Sequence, residues 1–188
     1  DAFFHRVFAA ELPAPGCYAV GMVFGAGGEQ ETAAAAARYG VSVIGWRDVP
    51  VVPKAVGPVA QSVLPPIRQC FLDGGKCADT DAFERLLFVI RRIVEKSCPD
   101  LYICSLSCRQ IVYKGLLLAP QMEHFYPDLS AEDMRSALAV VHQRYSTNTF
   151  PTWPLAHPFR YLAHNGEINT LRGNLNQLRA RETSLASE

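Results

Sequence analysis

His142-Gln143-Arg144-Tyr145-Ser146-Thr147-Asn148-Thr149-Phe150 and, after a Pro- and Trp-containing stretch, Tyr161-Leu162-Ala163-His164-Asn165-Gly166-Glu167-Ile168-Asn169-Thr170 are the residues from which the rest of the chain is read. Each follows a short apolar run (137–141 and 161–163) and delivers polar residues of unusual type. Arg144 offers a planar fork that matches a carboxylate. The hydroxyls and amide that follow suit a small, polar, anionic ligand. The Asn165 amide and the Gly166 backbone N–H offer two neutral donors that can converge on an oxyanion. Asn-Gly is also a common hairpin turn pair, but Glu167-Ile168-Asn169-Thr170 reads as the start of a helix, not a returning strand. On residue chemistry alone a surface arginine and a plain turn stay open beside the reading of an amino-acid pocket next to an acyl-transfer site. His164, at a strand end, reads as a core histidine sooner than a base.

Outward from these runs, the chain alternates strands and helices. Asp1 to Phe8 reads as helix and Leu12 to Gly16 as a turn. Cys17 to Phe24, Val41 to Trp46 and Ile67 to Leu72 read as strands. Glu31 to Tyr39 is an Ala-rich helix with Gly40 as its stop. Arg47 to Pro66 holds five prolines and reads as an ordered loop with a short helix over Gly57 to Ser62. Asp79 and Asp81 are expected to cap a helix, Ala82 to Lys96, whose apolar stripe is Phe83, Leu86, Leu87, Ile90, Ile93 and Val94. Leu101 to Leu106 and Gln110 to Leu117 are expected to form a hairpin around Ser107-Cys108-Arg109. A short helix over Pro120 to Phe125 follows, then strands at Leu138 to Gln143 and Tyr161 to His164. The last expected helix is Ile168 to Glu182, with Leu171, Leu175 and Leu178 on one side. Hairpin-type neighbours argue for antiparallel sheets and against a doubly wound parallel sheet.

Bulk properties exclude several classes. The 188 residues suit one domain, and the formal net charge is zero, so no electrostatic footprint points to nucleic acid. No apolar run reaches the ~18 residues that a membrane span needs. The first residues lack the basic-then-apolar pattern of a signal peptide. Six cysteines, Cys17, Cys70, Cys77, Cys98, Cys104 and Cys108, are scattered and read as reduced, mostly buried thiols. Cys104 and Cys108 fall on one face of an uninterrupted strand without a second pair, and His142, His157 and His164 match no common metal spacing, so no metal is expected. Gly25-Ala26-Gly27-Gly28 has the wrong spacing for a phosphate loop.

The two opening runs, joined by Pro151, by Trp153-Pro154-Leu155-Ala156-His157-Pro158-Phe159-Arg160, and extended by Leu171-Arg172-Gly173-Asn174, closely resemble the class II glutamine amidotransferase domain of the glutamate synthase large subunit. Weaker resemblance reaches back through Val112-Tyr113-Lys114-Gly115, Tyr102 to Ser107, Gly45-Trp46-Arg47-Asp48-Val49-Pro50-Val51 and Tyr18 to Phe24, so it covers most of the chain. It implies an α+β, N-terminal-nucleophile hydrolase-like fold, with two stacked, mainly antiparallel sheets between helix layers (four-layer α/β/β/α). It implies hydrolysis of L-glutamine to glutamate and ammonia for glutamate synthesis from 2-oxoglutarate. Arg144 would hold the α-carboxylate with Thr147 assisting. Asn165 and Gly166 would form the oxyanion hole, with the Gly166 carbonyl facing the substrate ammonium. The implied partners are the synthase and flavin-binding domains and a small reductase subunit. FMN and an iron–sulfur cluster would lie in that remainder, with no cofactor in these residues. The implied compartment is the cytoplasm, or the plastid stroma in a plant.

The resemblance departs at two places. The family nucleophile is a cysteine at the mature N-terminus, activated by its own amine, whereas residue 1 is Asp, and no Asp follows Asp133 to bind the substrate ammonium. Residues 1–188 are therefore expected to be a single partial, truncated domain, inactive by itself. The alternative is a non-catalytic glutamine-binding or interaction module that lost the nucleophile. Cleavage before Cys17 would also expose a new N-terminal cysteine, but that segment matches a later strand of the family.

Overall fold

The computed structural model describes residues 2–75, 77, 79–143, 150–159, 171–182 and 184. Helix α1 (Ala2–Val7) leads to strand β1 (Tyr18–Phe24), helix α2 (Glu29–Ala37) and strand β2 (Ser42–Asp48). Helix α3 (Pro58–Ser62), strand β3 (Ile67–Asp73), helix α4 (Thr80–Ser97) and strand β4 (Tyr102–Ser107) follow. A short helix α5 (Met122–Phe125) and an outlying helix α6 (Leu171–Glu182) complete the described elements. The four strands form one antiparallel sheet in the order β2-β3-β1-β4. The fold class is α+β.

Strand β1 is central and buried along its whole length. Its alternate residues serve two cores, as strand geometry dictates. Ala19 and Val23 face helices α2 and α4 and pack with Cys70, Leu72, Phe83, Leu87, Ile90 and Val94. Met22 and Phe24 face a layer of loops and short helices that contains Val49, Tyr113, Phe125, Tyr126 and Trp153. Full burial of each large apolar side chain stabilises by about 1.5–3 kcal/mol, so the α4 stripe alone can seat that helix. The expected stripe is the observed one: Phe83, Leu87, Ile90 and Val94 are buried, and Leu86 and Ile93 pack at its margin. Asp79 caps the helix by accepting from the Ala82 N–H at 2.6 Å, whereas Asp81 lies inside the first turn and pairs with Arg109. Gly40, at φ +70°, turns the chain out of the α2 region into β2.

Several sequence expectations are corrected. Gln110 to Leu117 is not a strand, and no hairpin follows β4. Two of its backbone donors are taken by side chains instead: Val112 N–H donates to Ser105 Oγ at 3.1 Å, and Gln110 N–H to Ser107 Oγ at 3.3 Å. Leu138 to Gln143 is not a strand either. No described strand lies beside it, and Leu138, Val140 and Val141 are exposed. Tyr161 to His164 lies outside the described residues. In α6, Leu175 and Leu178 are exposed, so the expected apolar side of that helix is not buried among the described residues. Only Cys70 and Cys104 of the six free thiols are buried. A bulge between Met22 and Val23 shifts the β1–β4 register. Cys104 therefore packs with Met22 while Cys108, beyond the strand end, packs against the α4 side. The two thiols are on opposite faces, not one.

Candidate functional site

The four residues assigned to substrate from the sequence, Arg144, Thr147, Asn165 and Gly166, lie outside the described residues, as does His164. The structure describes residues that flank them in sequence. His142 and Gln143, directly before Arg144, line a cavity of about 590 Å3. His157 and Pro158, from the stretch between the two runs, line the same cavity. The His142 and His157 rings stack with centroids 4.3 Å apart. That volume is in the usual range for a small-molecule site, ~300–1,000 Å3. Among the described residues, no group of three or more His, Cys, Asp or Glu side chains is placed to hold a metal ion. No described helix is long and apolar enough to cross a membrane.

The opposite wall is Tyr113-Lys114-Gly115. Lys114 is 1% exposed, the most deeply buried charged side chain among those described. Its ammonium donates to Tyr102 Oη at 2.9 Å and to the Pro154 carbonyl at 2.8 Å. It also lies 4.5 Å from the Tyr102 ring centroid and 4.7 Å from that of Phe159. Burial pushes the Lys114 ammonium down to about 8, opposed by the nearby Cys104. The Lys114 carbonyl in turn accepts from the Tyr126 hydroxyl at 2.8 Å.

Gly115 seats Trp153. A Cβ there would stand 3.0 Å from Cε3 and 3.1 Å from Cη2 of the indole. Trp153 is 2% exposed and donates Nε1–H to the Ala60 carbonyl at 3.2 Å. It packs edge-on to Phe24 at 5.9 Å between centroids. In the fold it is a core residue that anchors the loop from below. Gly115→Ala is expected to destabilise by about 1–3 kcal/mol through overpacking, measurable by urea unfolding. An unchanged midpoint would mean that the indole has room to move.

Tyr113 connects this wall to a buried polar network. Arg47, at the end of β2, donates to both Asp128 carboxylate oxygens at 2.7 and 2.9 Å and to Gln69 Oε1 at 2.7 Å. Tyr113 donates to Asp128 Oδ2 at 2.9 Å, and Gln69 Nε2 donates to the Tyr113 hydroxyl at 3.0 Å. Burial, then the Asp128 charge, pushes the Tyr113 hydroxyl well above its ordinary value. Neither this network nor the Lys114 contacts were assigned from sequence. The available signal was a lone lysine inside Ile111-Val112-Tyr113-Lys114-Gly115-Leu116-Leu117-Leu118, where an unpaired charge would be costly.

Cys70, Cys77, Cys98, Cys104 and Cys108 are not activated nucleophiles of the kind that a lowered pKa creates. Burial pushes Cys70 and Cys104 up to about 12. Burial and the neighbouring Glu84 carboxylate do the same for Cys108. Burial also raises Cys77 and Cys98. Cys17 is exposed and lies in the turn before β1.

Comparison with known proteins adds a family. The family model described as glutamine amidotransferases class-II matches residues 1–188. The NADPH glutamate synthase large chain of Bacillus subtilis is 48% identical over 201 aligned residues, covering 100% of this chain and 13% of that relative. The NADPH glutamate synthase large chain of Azospirillum brasilense is 50% identical over 152 residues, covering 78% of this chain and 10% of the relative. The chloroplastic ferredoxin-dependent glutamate synthase of Oryza sativa subsp. japonica is 47% identical over 154 residues, covering 79% of this chain and 10% of the relative. The chain thus spans 10–13% of the length of these relatives.

Proposed function

This chain belongs to the class-II glutamine amidotransferases, and on that premise we propose that it is part of the glutamine-hydrolysing portion of a glutamate synthase. The observation that carries the reading is the family match over residues 1–188 together with 48% identity to a glutamate synthase across the whole chain. The cavity supports it, because residues beside Arg144 and residues leading to Asn165 line one small-molecule-sized space. In this reading Arg144 grips the α-carboxylate of L-glutamine with help from Thr147. Asn165 and the Gly166 N–H bind the oxygen that gains charge when the side-chain amide is attacked. The Gly166 carbonyl faces the substrate ammonium. Cleavage of the C–N bond leaves glutamate and frees ammonia, to be combined elsewhere with 2-oxoglutarate.

Residues 1–188 form one partial domain of the proposed four-layer, N-terminal-nucleophile hydrolase-like fold, the described sheet being one of its two sheets. In this reading the chain supplies binding groups and not the nucleophile, so that by itself it hydrolyses no glutamine. The partners are the synthase and flavin-binding domains and a small reductase subunit, in the cytoplasm or the plastid stroma. FMN and an iron–sulfur cluster belong to those partners. Cys104 and Cys108 pack on opposite faces of the sheet, so this pair does not fit a cluster.

Glutamine binding, measured by calorimetry on the full-length protein that carries this chain, tests the reading. Arg144→Ala is expected to weaken it by about 2 kcal/mol or more, roughly 30-fold, as for a truncated charge pair. Equal affinity in the variant would overturn the assignment.

A further inference from the structure

We propose that Lys114 is a positioning residue for glutamine, holding the loop of residues 150–159 that joins the Arg144 run to the Asn165 run. The proposal rests on the glutamine-site reading for its functional half and on described geometry for its structural half.

Among the described residues, two turns of the loop are closed by backbone bonds, and Phe159 forms a β-bridge. Leu155 N–H donates to the Thr152 carbonyl at 3.1 Å, and Ala156 N–H to the Trp153 carbonyl at 3.3 Å. Trp153 also bonds to the Ala60 carbonyl, and two adjacent residues hold the loop from below. Gly115 admits the Trp153 ring, and the Lys114 ammonium captures the next carbonyl, that of Pro154. The same ammonium lies 4.7 Å from the Phe159 ring centroid, so it touches the loop at its middle and at its far end. Lys114 is itself fixed through Tyr102 Oη and through its carbonyl to Tyr126. A lysine would be a poor choice for stability alone. Its charge is taken out of water with no carboxylate among its hydrogen-bond partners in the described residues, and a methionine of similar volume would avoid that cost. What methionine cannot do is bind a carbonyl. The charge is therefore better explained by loop placement than by core packing.

This separates two outcomes that a structural role would couple. In the full-length protein, Lys114→Met is expected to keep or raise the thermal midpoint. Hydrogen exchange in the peptide covering 150–159 should nevertheless quicken about tenfold, with β1 and β3 unchanged. KM for glutamine should rise about tenfold with kcat reduced less than threefold, and Lys114→Arg should restore KM to within threefold of wild type. A fall in midpoint with faster exchange throughout the sheet would make Lys114 a core residue only and overturn the proposal. Unchanged exchange in 150–159 and unchanged KM would overturn it as well. If the wild-type protein binds no glutamine, the substrate reading fails. Exchange in 150–159 then decides by itself whether Lys114 pins the loop.

Discussion

Replacing Asp128 with alanine is expected to destabilise the fold by about 3–5 kcal/mol, the cost of leaving a buried charge without its partner. Asp128 is 4% exposed, accepts two bonds from Arg47 and one from Tyr113, and has no substitute among the described carboxylates in that network. The Arg47 side chain is 12% exposed, so its guanidinium cannot turn to water without opening the layer beneath the sheet. The Tyr113 hydroxyl would also lose its acceptor. Equilibrium urea unfolding measures the loss. The double variant Arg47→Met with Asp128→Ala is expected to recover much of it, because removing both charges also removes the desolvation that each imposes. A loss below about 1 kcal/mol in Asp128→Ala would show that the pair is no better than a surface salt bridge, and the account of how the loop layer is held would fail.

The second large effect concerns chemistry. In the full-length enzyme, Asn165→Ala is expected to lower the rate of glutamine hydrolysis by about 100- to 1,000-fold, the usual consequence of losing one oxyanion donor. The mechanism is specific to charge that develops during attack. Glutamine binding should therefore change much less than turnover, opposite to the expectation for Arg144→Ala. Ammonia release under saturating glutamine separates the two. Near-wild-type turnover in Asn165→Ala would sink the oxyanion role and leave Asn165-Gly166 as a turn.

Local chemistry was legible where the cause of a structure is local. The 3.6-residue spacing of Phe83, Leu87, Ile90 and Val94 and the Asp79 cap specify α4 without reference to any partner. Gly40 at positive φ and the β-rich runs of β1, β2 and β3 are of the same kind. The substrate chemistry proposed for the site came from the family resemblance, since an Arg among hydroxyls and an Asn-Gly pair leave a surface arginine and a plain turn open by residue type alone. The misread segments, 110–117 and 138–143, are apolar enough to be strands. A strand, however, needs a neighbour to accept its hydrogen bonds, and no spacing within one segment reveals whether that neighbour exists.

The sequence by itself thus determined the family and the apolar face of α4. Tertiary structure alone decided the order β2-β3-β1-β4, the opposite faces of Cys104 and Cys108, and the pairing of Arg47 with an aspartate 81 residues away. It also decided that Trp153 is core and that Lys114 reaches the carbonyl of Pro154, 40 residues on. The physical reason is the range of the forces involved. Periodicity and capping act within a few residues, whereas a buried charge finds its partner only after the chain has closed around it.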